Sequence, residues 1–182
     1  AYFELHDANT PRFPIVDFVP IENTVNYLPY PKAGRPNSEI KIAVVDIEDA
    51  KNTYMQVSAN KDELIPRIKW TNENDDLCIL KMNRDQDLLE VYLAEVDDDG
   101  EAKLLFKEEQ KDGWIDINDS FTFIEDNLLW VSRKDGYNHI YLYDEDGSLV
   151  RQLTKGKWEV TKVHGYDKKQ SEFISQPQSV LL

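Results

Sequence analysis

The sequence predicts an all-β chain forming a partial β-propeller, an arc of about three four-stranded antiparallel blades, and three observations lead there. First, one strand and turn is written three times, as Glu39-Ile-Lys-Ile-Ala-Val-Val-Asp46, Leu89-Glu-Val-Tyr-Leu-Ala-Glu-Val-Asp-Asp-Asp-Gly100 and Asn138-His-Ile-Tyr-Leu-Tyr-Asp-Glu-Asp-Gly147, with Ile42, Val91 and Ile140 spaced 49 residues apart. Second, that strand is apolar on both faces. In the last copy Ile140 and Leu142 point one way and Tyr141 and Tyr143 the other, so protein must lie above and below it. Third, helical spacing of apolar residues is hard to find beyond a possible turn near Lys61-Asp-Glu-Leu64. A period of 40–50 residues with four strands per unit is the signature of a propeller blade, in which sheets stack face to face around an axis. A meandering β-sandwich is the competing reading.

The elements follow in order. Residues 1–57 read as an incomplete blade, because Ala1-Tyr-Phe-Glu-Leu5 begins in mid-strand. The second blade spans 66–107 and the third 114–154. Trp70-Thr-Asn-Glu-Asn-Asp-Asp-Leu77 aligns with Phe121-Thr-Phe-Ile-Glu-Asp-Asn-Leu128, Lys103-Leu-Leu-Phe106 aligns with Leu149-Val-Arg-Gln-Leu153, and Trp114 is equivalent to Trp158. Residues 158–182 read as a partial blade, with Gln176–Leu182 lacking a clear register. The whole is one domain. Propellers close with four to eight blades, so an arc this short is expected to be a piece of a larger protein, with apolar blade faces exposed at its ends.

The first unit carries an insertion over residues 8–38. From the end of strand two to the centre of strand three takes 35 residues there (Asp7 to Ile42), against 6 in the second unit and 5 in the third. Six of the eight prolines fall within it, and proline is expected to block regular pairing. Its apolar side chains suggest a partner-binding arm with Phe13, Ile15, Phe18 and Val19 as contacts. A loop lying flat on its own blade is the alternative.

Composition narrows the function. The 35 acidic residues against 21 Lys and Arg give a net charge of −14, which repels nucleic acid and anionic membrane surfaces. No apolar run approaches the ~18 residues needed to span a bilayer. The single cysteine, Cys78, excludes an intramolecular disulfide and sits in the apolar run Leu77–Leu80 as a buried thiol. No two of the seven glycines are four residues apart, so a Gly-x-Ser-x-Gly nucleophile elbow cannot occur. GxGxxG and the P-loop are missing too. His6, His139 and His164 are scattered, with His139 read as structural. Glu95–Gly100 brushes against a calcium loop, but Phe106 occupies the position of the bidentate Glu, so an Asp-rich hairpin is expected. Asn118-Asp-Ser120 fits the N-glycosylation sequon. Glu108-Glu109 reads as a solvated charge run in an inter-blade loop. No catalytic, cofactor or metal residue is assigned.

Two stretches carry a resemblance. Tyr30-Pro-Lys-Ala-Gly-Arg-Pro-Asn37, followed by a strand ending Val44-Val-Asp46, resembles the YPKAG-x-x-N segment of the dipeptidyl peptidase IV family. Asp135-Gly-Tyr-Asn-His-Ile-Tyr141 and Gln152-Leu-Thr-Lys-Gly-Lys-Trp-Glu-Val160 resemble its DGY-x-H and LTKG-x-WEV signatures, and Gly113-Trp114 falls where the family has a Gly-Trp pair. The resemblance implies a periplasmic or secreted serine exopeptidase that removes X-Pro and X-Ala dipeptides, with an eight-bladed propeller over a C-terminal α/β-hydrolase domain. It places this chain in the propeller, with no triad residue, and implies that the family's substrate-anchoring glutamate pair lies upstream of Ala1. It also implies a homodimer built partly by the residue 8–38 arm. In some members the loop after Gly-Trp lines the outer substrate pocket with an aromatic and an arginine; Ile115-Asp-Ile-Asn-Asp119 has neither. The alternative function is a non-enzymatic propeller used as a protein-binding scaffold.

Overall fold

The structure is a computed structural model, which describes residues 1–72, 76–167 and 172–179. Fifteen strands form in the described residues, and they group as the repeat demands. The first sheet has the order β1 (Tyr2–His6), β4 (Glu39–Val45), β5 (Asn52–Ala59). The second runs β6 (Glu63–Trp70), β7 (Asp76–Asn83), β8 (Leu88–Glu95), β9 (Ala102–Glu109). The third runs β10 (Thr122–Ile124), β11 (Asn127–Ser132), β12 (His139–Asp144), β13 (Leu149–Gln152). A hairpin of β14 (Trp158–Asp167) and β15 (Glu172–Ser179) ends the described chain. Thus Gln176–Ser179 does hold a register, while 180–182 lie outside the described residues. The possible turn at Lys61–Leu64 is a two-residue turn at Lys61-Asp62 that leads directly into β6.

Ile42, Val91 and Ile140 occupy the third-strand position of successive sheets, paired with Phe3, Leu80 and Val131, and all are buried. Alternation along each strand sends side chains into different cores. Leu77 and Ile79 join Ile42, Met55 and Val57 between the first and second sheets. Cys78, Leu80 and Val91 instead join Phe121, Trp130 and Tyr141 between the second and third. Leu129, Val131 and Ile140 face Val160 of the terminal hairpin. The second and third sheets are therefore each the filling between two hydrophobic layers, a stack of blades rather than a sandwich, while the first sheet packs on one face and leaves Phe3, Leu5 and Tyr54 exposed. The register slips once between the third and fourth strands of each blade, at Lys41/Ala43, Val91/Tyr92 and Leu142/Tyr143. Such irregularities sharpen the twist that a blade needs.

The Asp-rich turns explain their glycines. Gly100 has φ +73° and a Cβ there would lie 2.3 Å from the Tyr54 carbonyl oxygen; Gly147 has φ +83° and its Cβ would lie 2.1 Å from the Leu105 carbonyl oxygen. Each turn thus docks on the backbone of the preceding blade's outer strand, where only glycine fits.

The insertion does not stay irregular. Residues 12–29 form a regular hairpin, β2 (Arg12–Asp17) with β3 (Thr24–Pro29), in register from Arg12–Pro29 to Asp17–Thr24. The bond from Tyr30 N–H to Pro11 O, 2.8 Å, marks Arg12–Pro29 as a non-hydrogen-bonded pair. Alternation puts Pro14–Tyr27 in the same class, so Pro14 and Pro29 have no ladder donor to lose. That is why the expectation that proline prevents pairing fails here.

Candidate functional site

In a four-stranded antiparallel blade the turns after strands one and three lie at one rim, and those after strands two and four lie at the other. The first rim is acidic, with Asp46, Glu48 and Asp49, Asp97–Asp99, Glu125 and Asp126, and Asp144–Asp146 set against Lys51. The Asp97–Gly100 segment is a hairpin turn with Phe106 inside β9, and no metal-binding cluster occurs among the described residues. The second rim carries the arm after β1 and Trp114 after β9, whereas the first rim's turns expose Ile47 among their carboxylates.

The arm is bare on both faces. Ile15, Val16, Val25 and Tyr27 are exposed along it, and at its tip Phe18 is 74% and Val19 92% exposed. Phe13 differs from the other three expected contacts. It is half-buried at the arm's base, 5.8 Å from the Tyr30 ring, with Lys32 Nζ 4.2 Å from its centroid.

A cleft of about 420 Å³ opens on the same rim between the second and third blades, between Gly113–Asn118 and the turn after β11. Its walls are fixed by hydrogen bonds. Ile115 is buried and its N–H donates to Gln86 O at 2.7 Å, which leaves the preceding Trp114 side chain outside, 71% exposed. Trp114 Nε1 donates to Asp116 Oδ1 at 3.2 Å; Arg133 donates to Asp116 Oδ2 at 2.9 Å and to Glu159 Oε2 at 3.3 Å. Asn118 Oδ1 accepts the Ser120 N–H at 2.7 Å, tightening the far end of this wall.

Behind the cleft lies a polar cluster that corrects the reading of Glu108 as solvated and of Glu108-Glu109 as a loop, while Glu109 is exposed. Both residues are in β9, and Glu108 spans the blade interface. It accepts Trp130 Nε1 at 2.8 Å and the Ser132 hydroxyl at 2.6 Å. Two buried donors on a neighbouring strand, each met by one oxygen of the carboxylate, explain why this charge is drawn inward. Lys134 Nζ donates to the Tyr143 hydroxyl at 2.8 Å and sits 3.9 Å from the Tyr141 ring centroid. Burial lowers the Lys134 pKa, opposed by the charges of Glu108 and Asp135. Burial, then Glu108, pushes the Tyr143 hydroxyl up to about 12. The Tyr141 hydroxyl is buried near Asp135, and burial first and the Asp135 charge second raise its pKa. Sequence reasoning missed this cluster because its members come from β9, β11, the following turn and β12, with no spacing rule to link them.

His139 and Cys78 are structural. His139 is fully buried, its Nε2 3.0 Å from Gly156 O and its Nδ1 3.1 Å from the Thr154 hydroxyl. The carbonyl can only accept, so Nε2 carries a proton. Cys78 is buried between blades, and desolvation pushes its thiol up to about 12, which leaves it unreactive.

These surfaces belong to a recognised architecture. A family model described as the dipeptidyl peptidase IV (DPP IV) N-terminal region matches residues 1–179. The chain belongs to that family. Among relatives, it is 27% identical over 183 residues to dipeptidyl peptidase 4 of Trichophyton rubrum, covering 93% of this chain and 24% of the relative. It is 29% identical over 148 residues to dipeptidyl peptidase 4 of Arthroderma otae, covering 77% and 19%. The crystal structure of Porphyromonas gingivalis dipeptidyl peptidase 4 superposes with a TM-score of 0.81 at 28% identity, covering 91% of this chain and 24% of that one. The chain spans about a quarter of the length of the relatives it matches. It is a partial β-propeller from the N-terminal region of a dipeptidyl peptidase IV-like protein.

Proposed function

We propose that this chain is the non-catalytic propeller portion of a secreted or periplasmic serine exopeptidase that releases X-Pro and X-Ala dipeptides, and that it serves substrate gating and dimerisation. In this reading the segments 1–57, 66–107, 114–154 and 158–182 are consecutive blade portions of one domain. Hydrolysis falls to a C-terminal α/β-hydrolase domain of the parent chain, by acyl transfer to serine. The propeller restricts entry to slender peptides and orients their amino ends, which converts binding energy into alignment at the scissile bond.

The observation that carries the reading is the placement of two unsatisfied surfaces on one rim. The arm supports the homodimer. A two-stranded ribbon with apolar side chains on both faces is marginal in water and gains by packing on a second body, and Ile15, Phe18 and Val19 are its accessible contacts, with Phe13 bracing its base. The cleft beside Trp114 supports a role at the peptide entry.

The test has two parts. The purified chain alone is expected to release nothing from a Gly-Pro reporter, while the full-length parent releases it. Phe18→Ala with Val19→Ala in the parent is expected to weaken the dimer about 10- to 100-fold by analytical ultracentrifugation, the range for losing central interface side chains. An unchanged dimer removes the arm from the account, and hydrolysis by the isolated chain overturns the division of labour.

A further inference from the structure

We propose that the interface between the first sheet and the blade that precedes it in the parent propeller is a hydrated seam, held by polar contacts, and that the ring yields laterally there. The inference rests on the propeller part of the reading above and concerns the face of the first sheet turned away from the second.

Three features set this sheet apart from the two that follow. The first is the turn between its last two strands. Asp46 N–H donates to Lys51 O, Glu95 N–H to Glu101 O and Asp144 N–H to Ser148 O. Ala50, Gly100 and Gly147 are therefore matching residues, with φ of +58°, +73° and +83°. Gly100 docks on the preceding sheet: its carbonyl accepts the Gln56 N–H at 2.7 Å, and a Cβ would lie 2.3 Å from the Tyr54 carbonyl oxygen. Gly147 comes as close to Leu105. Ala50 carries the Cβ that both of these contacts forbid, so its turn cannot settle on a preceding outer strand in the same way.

The second feature is a missing knob. The residues that follow Ile42, Val91 and Ile140 are Ala43, Tyr92 and Tyr141. Tyr92 and Tyr141 fill the layers toward the preceding sheets. Ala43 projects nothing, and it is already covered within its own sheet, paired with Tyr2 on one side and Tyr54 on the other.

The third is the chemistry of the face. Alternation turns Glu4 and His6 of β1, Lys41 of β4 and Tyr54, Gln56 and Ser58 of β5 away from the second sheet. Much of this polar chemistry closes within the sheet. The Tyr54 hydroxyl donates to Glu4 Oε2 at 2.7 Å, His6 Nε2 lies 2.7 Å from Glu4 Oε1, and the Tyr2 hydroxyl donates to Asn52 Oδ1 at 3.1 Å. A dry layer here would strip water from Glu4 and Lys41 without supplying new partners, whereas bridging water satisfies both sides.

The body that meets this face is the preceding blade. The chain spans about a quarter of its relatives' length, and the two apolar layers between the three sheets show how one blade ordinarily meets the next. Coupling along such a stack runs from neighbour to neighbour, so it opens first where the shared layer is weakest.

The experiment uses the full-length parent carrying Ser58→Cys or Val57→Cys. These neighbours on β5 face opposite ways, Val57 into the apolar layer shared with the second sheet and Ser58 into the seam. Modification of each by N-ethylmaleimide is followed by peptide mass spectrometry, which separates it from any other thiol. Ser58→Cys is expected to react about three- to tenfold more slowly than in urea-unfolded protein, and Val57→Cys more than about a hundredfold more slowly, because a dry layer has to open first. Equal protection at both positions overturns the proposal. A Ser58→Cys rate equal to that of the unfolded protein overturns it too, since no blade would then cover the face. Ala50→Asn and Gly100→Asn test the turn, because Asn tolerates the left-handed backbone and only the fit of its side chain differs. Gly100→Asn is expected to lower the melting temperature by at least about 2 °C and Ala50→Asn by less than about 1 °C; equal losses would show that the Ala50 turn docks after all. Neither readout depends on catalysis, so a parent that releases no dipeptide counts against the peptidase reading alone.

Discussion

Gly147→Ala isolates the contact that spaces the second and third blades. The new Cβ would lie 2.1 Å from the Leu105 carbonyl oxygen and 2.5 Å from its carbon, both backbone atoms that cannot rotate away. It would also sit at φ +83°, which costs an L-residue roughly 1–2 kcal/mol by itself. Gly34→Ala provides the control, since φ there is +74° and nothing lies within 4 Å of its Cβ. The difference between the two variants is then the overpacking alone, about 1–3 kcal/mol. For a domain of this size that separates their melting temperatures by roughly 2–12 °C. Thermal unfolding of the two single variants beside the parent measures it. Equal losses in both would mean that the turn can lift off the preceding blade without penalty, and the docking argument for the repeated glycine would be wrong.

Two further outcomes follow from the polar contacts. Glu108→Ala leaves Trp130 Nε1 and the Ser132 hydroxyl without their acceptor and should lower the urea-unfolding free energy by about 1.5–3 kcal/mol; a loss below about 0.5 kcal/mol, the size of an ordinary surface substitution, would mean solvent replaces the carboxylate. For Glu90, burial opposes the charge, but Lys107 and the Tyr92 hydroxyl outweigh it, and the carboxyl lies below its ordinary 4.5. A lowered folded pKa gives stability that is complete above the unfolded value and lost as pH falls through the folded one. Glu90→Gln should therefore be less stable than the parent at pH 7 and closer to it at pH 3, and a deficit of the same size at both would refute the linkage.

How much of this was legible in the sequence depends on the range of the interaction. The blades were readable because alternation and turn chemistry are local: the strand around Val91 and the turn ending at Gly100 declare themselves within a dozen residues. The pairing of the arm was misjudged. Proline looks prohibitive when counted, and its effect depends on which pairs of a ladder Pro14 and Pro29 happen to occupy. The exposure of Phe18 and Val19 was in reach, since apolar residues at a Pro-flanked tip have nothing local to cover them. The cleft was not. Trp114 and Asp116 come from the connection after β9, Arg133 from the turn after β11 and Glu159 from β14, and nothing in their spacing joins the indole to a guanidinium nineteen residues later. The inward turn of Glu108 was hidden in the same way, because its partners Trp130 and Ser132 lie on the next blade.

The division of the interior into separate hydrophobic layers bears on how damage spreads. A residue such as Ile42 shares its layer with the first two sheets, whereas Ile140 shares its layer with the third sheet and the terminal hairpin. Energy therefore passes along the chain of sheets only from neighbour to neighbour, as in a row of coupled spins. A lesion in one layer weakens the two sheets that bound it and leaves the more distant ones nearly as firm, so loosening starts from whichever end has the weaker neighbour and advances one sheet at a time.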